Sequence, residues 1–196
     1  MPRAERRTEL VDIAESLVAR GGVDAVSMET VAAEAGVSRA LVYKHFGNRH
    51  DLLAEVYRRE ASTLDAEIVA AVEAAGGFAA KVQALVGAVF DAEVARGPVF
   101  ASLHQEGVLD DVLRREQRAR NRRTVRYFSA LATTELGVPE RQARAGTAVL
   151  LTGLDSLRAQ WRADPSEANR RFLESLFVQL VVGAFDGLAG RSAGGL

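Results

Sequence analysis

The chain has 196 residues, 48% of them hydrophobic and 26% charged, and a formal net charge of −1. That length and apolar share bury a sizeable core, which excludes a disordered chain. The charge balance excludes a globally basic nucleic-acid binder but leaves room for a local basic face. The absence of cysteine removes disulfides, thiol nucleophiles and cysteine-based metal centres.

No basic-then-apolar segment marks a signal peptide at the start, and no run reaches the roughly 18 apolar residues of a membrane span. A cytoplasmic protein with no membrane partner is therefore expected. Alanine, arginine and leucine are abundant, prolines number four, and sustained two-residue alternation is missing. The expected fold class is all-α, with about nine helices.

A first helix is predicted over residues 4–20, where Leu10, Ile13, Ala14 and Leu17 recur on one face before Gly21-Gly22. Arg3, Arg6 and Arg7 at its start read either as a solvated end or as a basic arm toward phosphate or the minor groove. Ser27 caps a second helix over residues 28–35 with Val31, Ala32 and Ala35 inward. Gly36 supplies a tight turn. Ser38 then caps a third helix over residues 39–46, anchored by Val42, the Tyr43 ring and Phe46.

Two short helices around a glycine turn, the second with a polar outer face, fit a helix-turn-helix. On that reading Arg39 and Lys44 donate to guanine edges, and Ala40 and Leu41 meet thymine methyls. Ser38, Tyr43, His45 and Arg49 hold phosphates, with Ser27 at the start of the supporting helix.

Residues 7–53 resemble the DNA-binding domain of the TetR family of transcriptional regulators. The resemblance rests on the first-helix pattern, Gly22 followed by the Ser27 cap, Val31-Ala32, Ala35-Gly36-Val37-Ser38, Tyr43, His45-Phe46 and Leu52-Leu53. It implies a homodimeric regulator, mostly a repressor, that leaves its operator when a small molecule binds the C-terminal body. It also implies that the tilt of the fourth helix sets the spacing of the two recognition helices. The chain departs from the family pattern at Ala40, often glycine, at Leu41, often small or hydroxylated, at Arg49, usually lysine, and at His50, usually acidic. Ala40 and Leu41 bear on which bases are read.

Residues 1–49 are thus expected to form the DNA-binding domain, residues 50–190 the effector-binding and dimerisation domain, and residues 191–196 a disordered tail. Helices are predicted over residues 50–75, 78–96, 98–106 (after a stop at Gly97-Pro98) and 110–136. At the seventh helix the apolar stripe of Leu109, Leu113, Tyr127, Phe128 and Leu131 is interrupted by Gln117, Arg120, Asn121 and Thr124. Buried polar groups need partners. The interruption is either a polar seam against protein or the polar wall of a ligand cavity holding an acid or carbonyl group.

Phe90, Val94, Phe100, Leu103, Phe128, Leu154 and Trp161 are the candidate apolar walls of that cavity. His104 is either an ordinary surface or core histidine or an effector contact.

The eighth helix, from Glu140 to about residue 162, carries a small strip (Ala145, Val149, Thr152, Gly153, Ser156). The ninth follows Asp164-Pro165, with Asp164 as cap, and ends near residue 188. Its apolar surface exceeds what one outer helix hides in a monomer, so helices eight and nine are expected to pair with their copies in a four-helix bundle.

Three histidines stand at no metal-binding spacing, and Ser38 and His45 share one short helix. No enzyme, metal or cofactor is expected. The rival readings are a regulator of the same fold without a small ligand, and a helical adaptor or enzyme with an incidental helix-turn-helix.

Overall fold

The computed structural model describes residues 2–105 and 111–193, with the side chains at 98–102, 104–105, 111–112 and 191–193 outside the described residues. Among the described residues every regular element is helical: α1 (Arg3–Gly21), a 3₁₀ turn (Val23–Ala25), α2 (Met28–Glu34), α3 (Arg39–His45), α4 (Arg49–Ala74), α5 (Gly77–Gln105), α6 (Asp111–Leu136), α7 (Glu140–Ala163) and α8 (Glu167–Ala193). The all-α class holds, with eight α-helices among the described residues where nine were expected.

The missing boundary is at Gly97-Pro98. A proline inside a helix forfeits one backbone hydrogen bond and strains the preceding turn, at about 3 kcal/mol. Buried residues on both sides of it, Phe90 and Ala92 before and Leu103 after, keep the helix running, and the expected fifth and sixth helices are one.

The start of the last helix also shifts. Ser166 rather than Asp164 is the cap, its hydroxyl accepting the Asn169 amide at 3.2 Å, while the Asn169 side chain donates to the Asp164 carbonyl at 2.7 Å. That helix extends through Ala193, so residues 191–193 of the expected tail are helical; residues 194–196 lie outside the described residues.

Two compact units divide the chain: Met1–Thr63 with Val94–Arg115, and Leu64–Glu93 with Glu116–Leu196. In the first, α1 buries Leu10, Val11, Ala14, Leu17 and Val18. It ends where Gly22, at φ +69°, returns its N–H to the Val18 carbonyl at 2.9 Å. Arginines tie α1 to its neighbours: Arg7 Nη2 to Glu55 at 3.2 Å, Arg20 Nη2 to both Glu34 oxygens at 2.8 and 2.9 Å, and Arg59 to both Asp12 and Glu15. Deeper in this unit Glu60 is 5% exposed and lies 3.5 Å from the Arg96 guanidinium.

The second unit packs Val72, Phe78, Val82, Val86, Phe90, Phe128, Ala132, Leu154, Leu157, Leu173, Phe177 and Phe185 into one apolar core. Glu135 caps the first turn of α5 by accepting the Phe78 N–H at 2.7 Å. On α8, Leu173, Phe177, Val181 and Phe185 repeat every four residues and are buried. Gly146 and Gly153 of α7 give Phe185 and Phe177 room: a Cβ on Gly153 would stand 3.3 Å from the Phe177 ring.

A second four-residue stripe on α8, Phe172, Leu176 and Leu180, is exposed, as are Ala145, Val149, Thr152 and Ser156 on α7. Over Glu167–Gly190 α8 is long and apolar enough to cross a membrane, which the run-length reading did not expect. The reason is compositional: Glu174, Gln179 and Asp186 break the apolar run, while the large apolar residues between them keep the mean hydropathy high.

Candidate functional site

The helix-turn-helix is assembled by local hydrogen bonds. Ser27 and Thr30 form a reciprocal cap: the Ser27 hydroxyl accepts the Thr30 amide at 3.0 Å and the Thr30 hydroxyl accepts the Ser27 amide at 2.8 Å. Gly36, at φ +63°, turns the chain, a conformation that costs a residue with a side chain. Val37 donates back to the Ala32 carbonyl at 3.0 Å. Ser38 caps α3 by accepting the Leu41 amide at 3.3 Å. Val42 and Phe46 of this turn-and-helix are buried, which fixes its rotation.

That rotation places Arg39, Ala40, Tyr43 and Lys44 outward and leaves Leu41 and His45 half-buried. Tyr43 is 45% exposed. Its ring is therefore not the inward anchor expected; Val42 and Phe46 fill that role, and the phenol stands on the outer face. Arg39 pairs with Glu29 of α2.

The basic face is wider than α3. Because α1 begins at Arg3, the three N-terminal arginines lie on helix rather than on an arm. Arg3 and Arg6 line a recess of about 320 Å³ with Leu41, Lys44 and His45. Arg7 stacks over the Phe46 ring at 4.5 Å. Burial, then the charges of Arg3, Lys44, Arg7 and Arg6, hold the His45 imidazole below its ordinary 6.5. Its Nδ1 is buried without a hydrogen-bond partner.

Arg49 is turned elsewhere. Its Nε donates to the Val26 carbonyl at 2.7 Å and its Nη2 to the Val23 carbonyl at 2.5 Å. These bonds pin the segment between α1 and α2, a placement that periodicity does not reveal.

The polar residues of α6 largely answer one another. Gln117 Nε2 donates to Asn121 Oδ1 at 3.0 Å, and Arg120 Nη2 donates to Gln117 Oε1 at 2.6 Å. Asn121 is exposed, whereas Arg120 and Thr124 are half-buried.

A cleft of about 280 Å³ opens between α4 and α6, lined by Asp65, Ile68, Val69, Val72, Glu73, Arg120, Arg123, Thr124, Tyr127 and Phe128. Of the expected cavity residues it gathers Arg120, Thr124 and Phe128. Phe90 and Trp161 meet edge to face, 6.3 Å between ring centres, and Leu154 is buried in the same core. Val94 is 55% exposed and Leu103 fully buried. The side chains of Phe100 and His104 lie outside the described residues. Under Phe128 the core keeps a void of only about 30 Å³. Asp65, Val69 and Glu73, which sequence reading missed, lie on the face of α4 that carries Ile68 and Val72; their signal was a pair of carboxylates flanking that apolar stripe.

A profile described as "Bacterial regulatory proteins, tetR family" matches residues 10–56. An HTH-type transcriptional regulator BetI from Paraburkholderia xenovorans is 30% identical over 159 residues, covering 78% of this chain and 80% of that protein. The BetI regulator of Paraburkholderia phymatum is 29% identical over 168 residues, covering 83% and 85%.

Among solved structures, a TetR-family regulator from Streptomyces coelicolor superposes with a TM-score of 0.76 at 22% identity, covering 97% of this chain and 89% of that one. A regulator from Saccharomonospora viridis, solved in complex with choline, superposes at 0.72 with 20% identity over 91% and 96%. The relatives named are regulators, not enzymes.

Proposed function

Because the chain belongs to the TetR family of bacterial regulatory proteins, and is therefore a DNA-binding transcriptional regulator, we propose that it works as a homodimeric repressor that a small ligand releases from its operator. The observation that carries the DNA arm is the sorting of α3, whose apolar residues Val42 and Phe46 are buried while Arg39, Ala40, Tyr43 and Lys44 face out. A helix so presented fits the major groove. Arg39 and Lys44 read base edges, and Ala40 and Leu41 meet thymine methyls. Ser27, Ser38, Tyr43 and His45 hold phosphates together with Arg3 and Arg6. Arg49 acts indirectly, by placing the segment before α2.

The dimer arm is supported by the two stripes of α8. One faces the core; the other, Phe172, Leu176 and Leu180, is exposed beside the small strip of α7. Pairing α7 and α8 with their copies covers that stripe in a two-fold four-helix bundle. The ligand arm is supported by the α4–α6 cleft and by the choline complex of the Saccharomonospora viridis protein. A regulator of the same fold without a small ligand is the second reading, favoured by the mutual hydrogen bonds of Gln117, Arg120 and Asn121.

Fluorescence anisotropy with operator-variant duplexes tests the DNA arm. Affinity falls steeply as salt rises, because phosphate contacts release counterions. Tyr43→Phe weakens binding to all sequences alike, whereas Arg39→Ala also relaxes preference at particular bases. Two variants indistinguishable across the panel contradict this assignment.

A further inference from the structure

A carboxylate stands among the outward side chains of the helix-turn-helix. Glu29 is the second residue of α2 and Arg39 the first of α3, each in the opening turn that follows a serine cap. The Glu29 carboxylate pairs with the Arg39 guanidinium across the turn between the two helices, and both stay open to solvent, Glu29 at 49% and Arg39 at 59% exposure. Among the outward residues of α3, Arg39, Ala40, Tyr43 and Lys44, none is a carboxylate. Glu29 therefore sets a negative charge beside a face that otherwise suits a phosphate backbone.

Folding stability does not account for this pair. An exposed ion pair contributes little, and an acidic residue in the first turn of a helix is favourable without any arginine partner. What distinguishes Glu29 is the group it holds. Arg39 has a long flexible stem, and a carboxylate on one edge of its guanidinium limits where the remaining N–H groups point. The backbone under both residues is fixed: Ser27 and Ser38 cap their helices at Thr30 and Leu41, and Val37 donates to the Ala32 carbonyl across the turn at 3.0 Å. The guanidinium is thereby aimed before DNA arrives, which lowers the entropy cost of the contact.

The carboxylate also has a selectivity of its own. It accepts hydrogen bonds and donates none. In the major groove the amino groups of cytosine and adenine donate, whereas guanine O6 and N7 and thymine O4 accept. A guanine edge suits Arg39 and an amino group suits Glu29, while an acceptor edge or a phosphate against Glu29 meets repulsion. Such a group weakens binding to unrelated DNA more than binding to its own site, which is how a repulsive element raises specificity.

We propose that Glu29 is a specificity-determining residue of the DNA face: it aims Arg39 at a guanine and accepts the amino group of a cytosine or adenine beside that contact. The proposal rests on the reading of Arg39 as a base contact and adds the partner that directs it.

The test uses the full chain as wild type, Glu29→Gln, Arg39→Ala and the double variant, with a thermal melt of each. Selection by wild type from a randomised duplex pool supplies the probe. Fluorescence anisotropy then measures that duplex, its single-base-pair substitutions and a scrambled duplex of the same composition. Glu29→Gln binds the scrambled duplex tighter, by ~2-fold or more, yet its discrimination of selected from scrambled duplex falls ~5-fold or more. The loss sits at the base pairs that Arg39→Ala relaxes and their immediate neighbours. It is smaller in the Arg39→Ala background, because the two side chains act together.

Should Glu29→Gln melt early, Glu29→Asp, whose shorter stem withdraws the carboxylate from Arg39, goes through the same panel and loses discrimination at the same base pairs. Wild-type discrimination in these variants, an equal loss of affinity for selected and scrambled duplexes, a loss at base pairs remote from those of Arg39, or an undiminished loss in the Arg39→Ala background each overturns the proposal. Relaxed preference in Arg39→Ala beside an unchanged Glu29→Gln overturns the proposal and leaves Arg39 as a base contact. Unchanged preference in Arg39→Ala overturns both.

Discussion

Replacing Arg49 by leucine separates two roles that a basic residue near a recognition helix can have. Leucine keeps much of the hydrocarbon stem and removes the guanidinium. The structure directs that group at the Val26 and Val23 carbonyls, at 2.7 and 2.5 Å. A hydrogen bond from a charged donor contributes about 1.5–3 kcal/mol net. Arg49 itself is half-buried, so water recovers part of the loss, and about 2 kcal/mol for the two bonds together is the expected cost.

For a chain of this length that lowers Tm by ~4–8 °C. The assay is a thermal melt beside DNA binding measured over a salt series. Affinity of the folded variant falls while the slope of log K against log salt stays the same. A slope reduced by about 0.9 for each lost phosphate contact, with Tm unchanged, would refute the carbonyl-pinning role and restore Arg49 to the DNA face.

Glu60 gives a pH signature. Burial, then its hydrogen bond to Glu15 and that carboxylate's charge, push it from the ordinary 4.5 up to about 7, against the pull of Arg96 and Arg59. Its folded value lies above the unfolded one, so the stabilising contribution is complete below 4.5 and is lost as pH rises to about 7. Glu60→Gln flattens the stability–pH curve across that window by up to about 3 kcal/mol; a curve as steep as wild type refutes the assignment.

His45 is held below its ordinary value by burial and neighbouring cations, and a DNA phosphate reverses that balance. Duplex affinity therefore strengthens as pH falls below the ordinary imidazole range, and His45→Gln removes the dependence in anisotropy titrations. Leu180→Glu together with Val149→Glu, both on exposed positions, yields a monomer by analytical ultracentrifugation and weakens operator binding. A stable dimer of the double variant contradicts the α7–α8 interface.

Local chemistry was legible in the sequence wherever neighbours in the chain decide it. Ser27, Gly36 and Ser38 announce the caps and the turn, and the spacing of Val42 and Phe46 fixes which side of α3 faces out. Long-range partners were not legible. Arg49 reaches carbonyls on the far side of α2, and Asp65 meets arginines of another helix; no periodicity encodes such pairs. Gly97-Pro98 misled for an energetic reason: a stop signal states a local cost, and the buried residues on either side outweigh it. Asp164 misled because Ser166, two residues on, offers the last helix an equally good cap.

The arginine ties of α1 carry a mechanical consequence. Arg59 reaches from α4 to both Asp12 and Glu15, Arg7 reaches back from α1 to Glu55, and Arg20 grips Glu34 of α2. Each bridge alone is a weak spring. Distributed along α1, they brace its two neighbours against shear, so the early turns of α4 and the helix-turn-helix behave as a single cantilever. A twist applied to those turns of α4 arrives at Arg39 and Lys44 with little lost to slack, and loosening Arg59 would uncouple the handle from the blade without touching a single DNA-facing side chain.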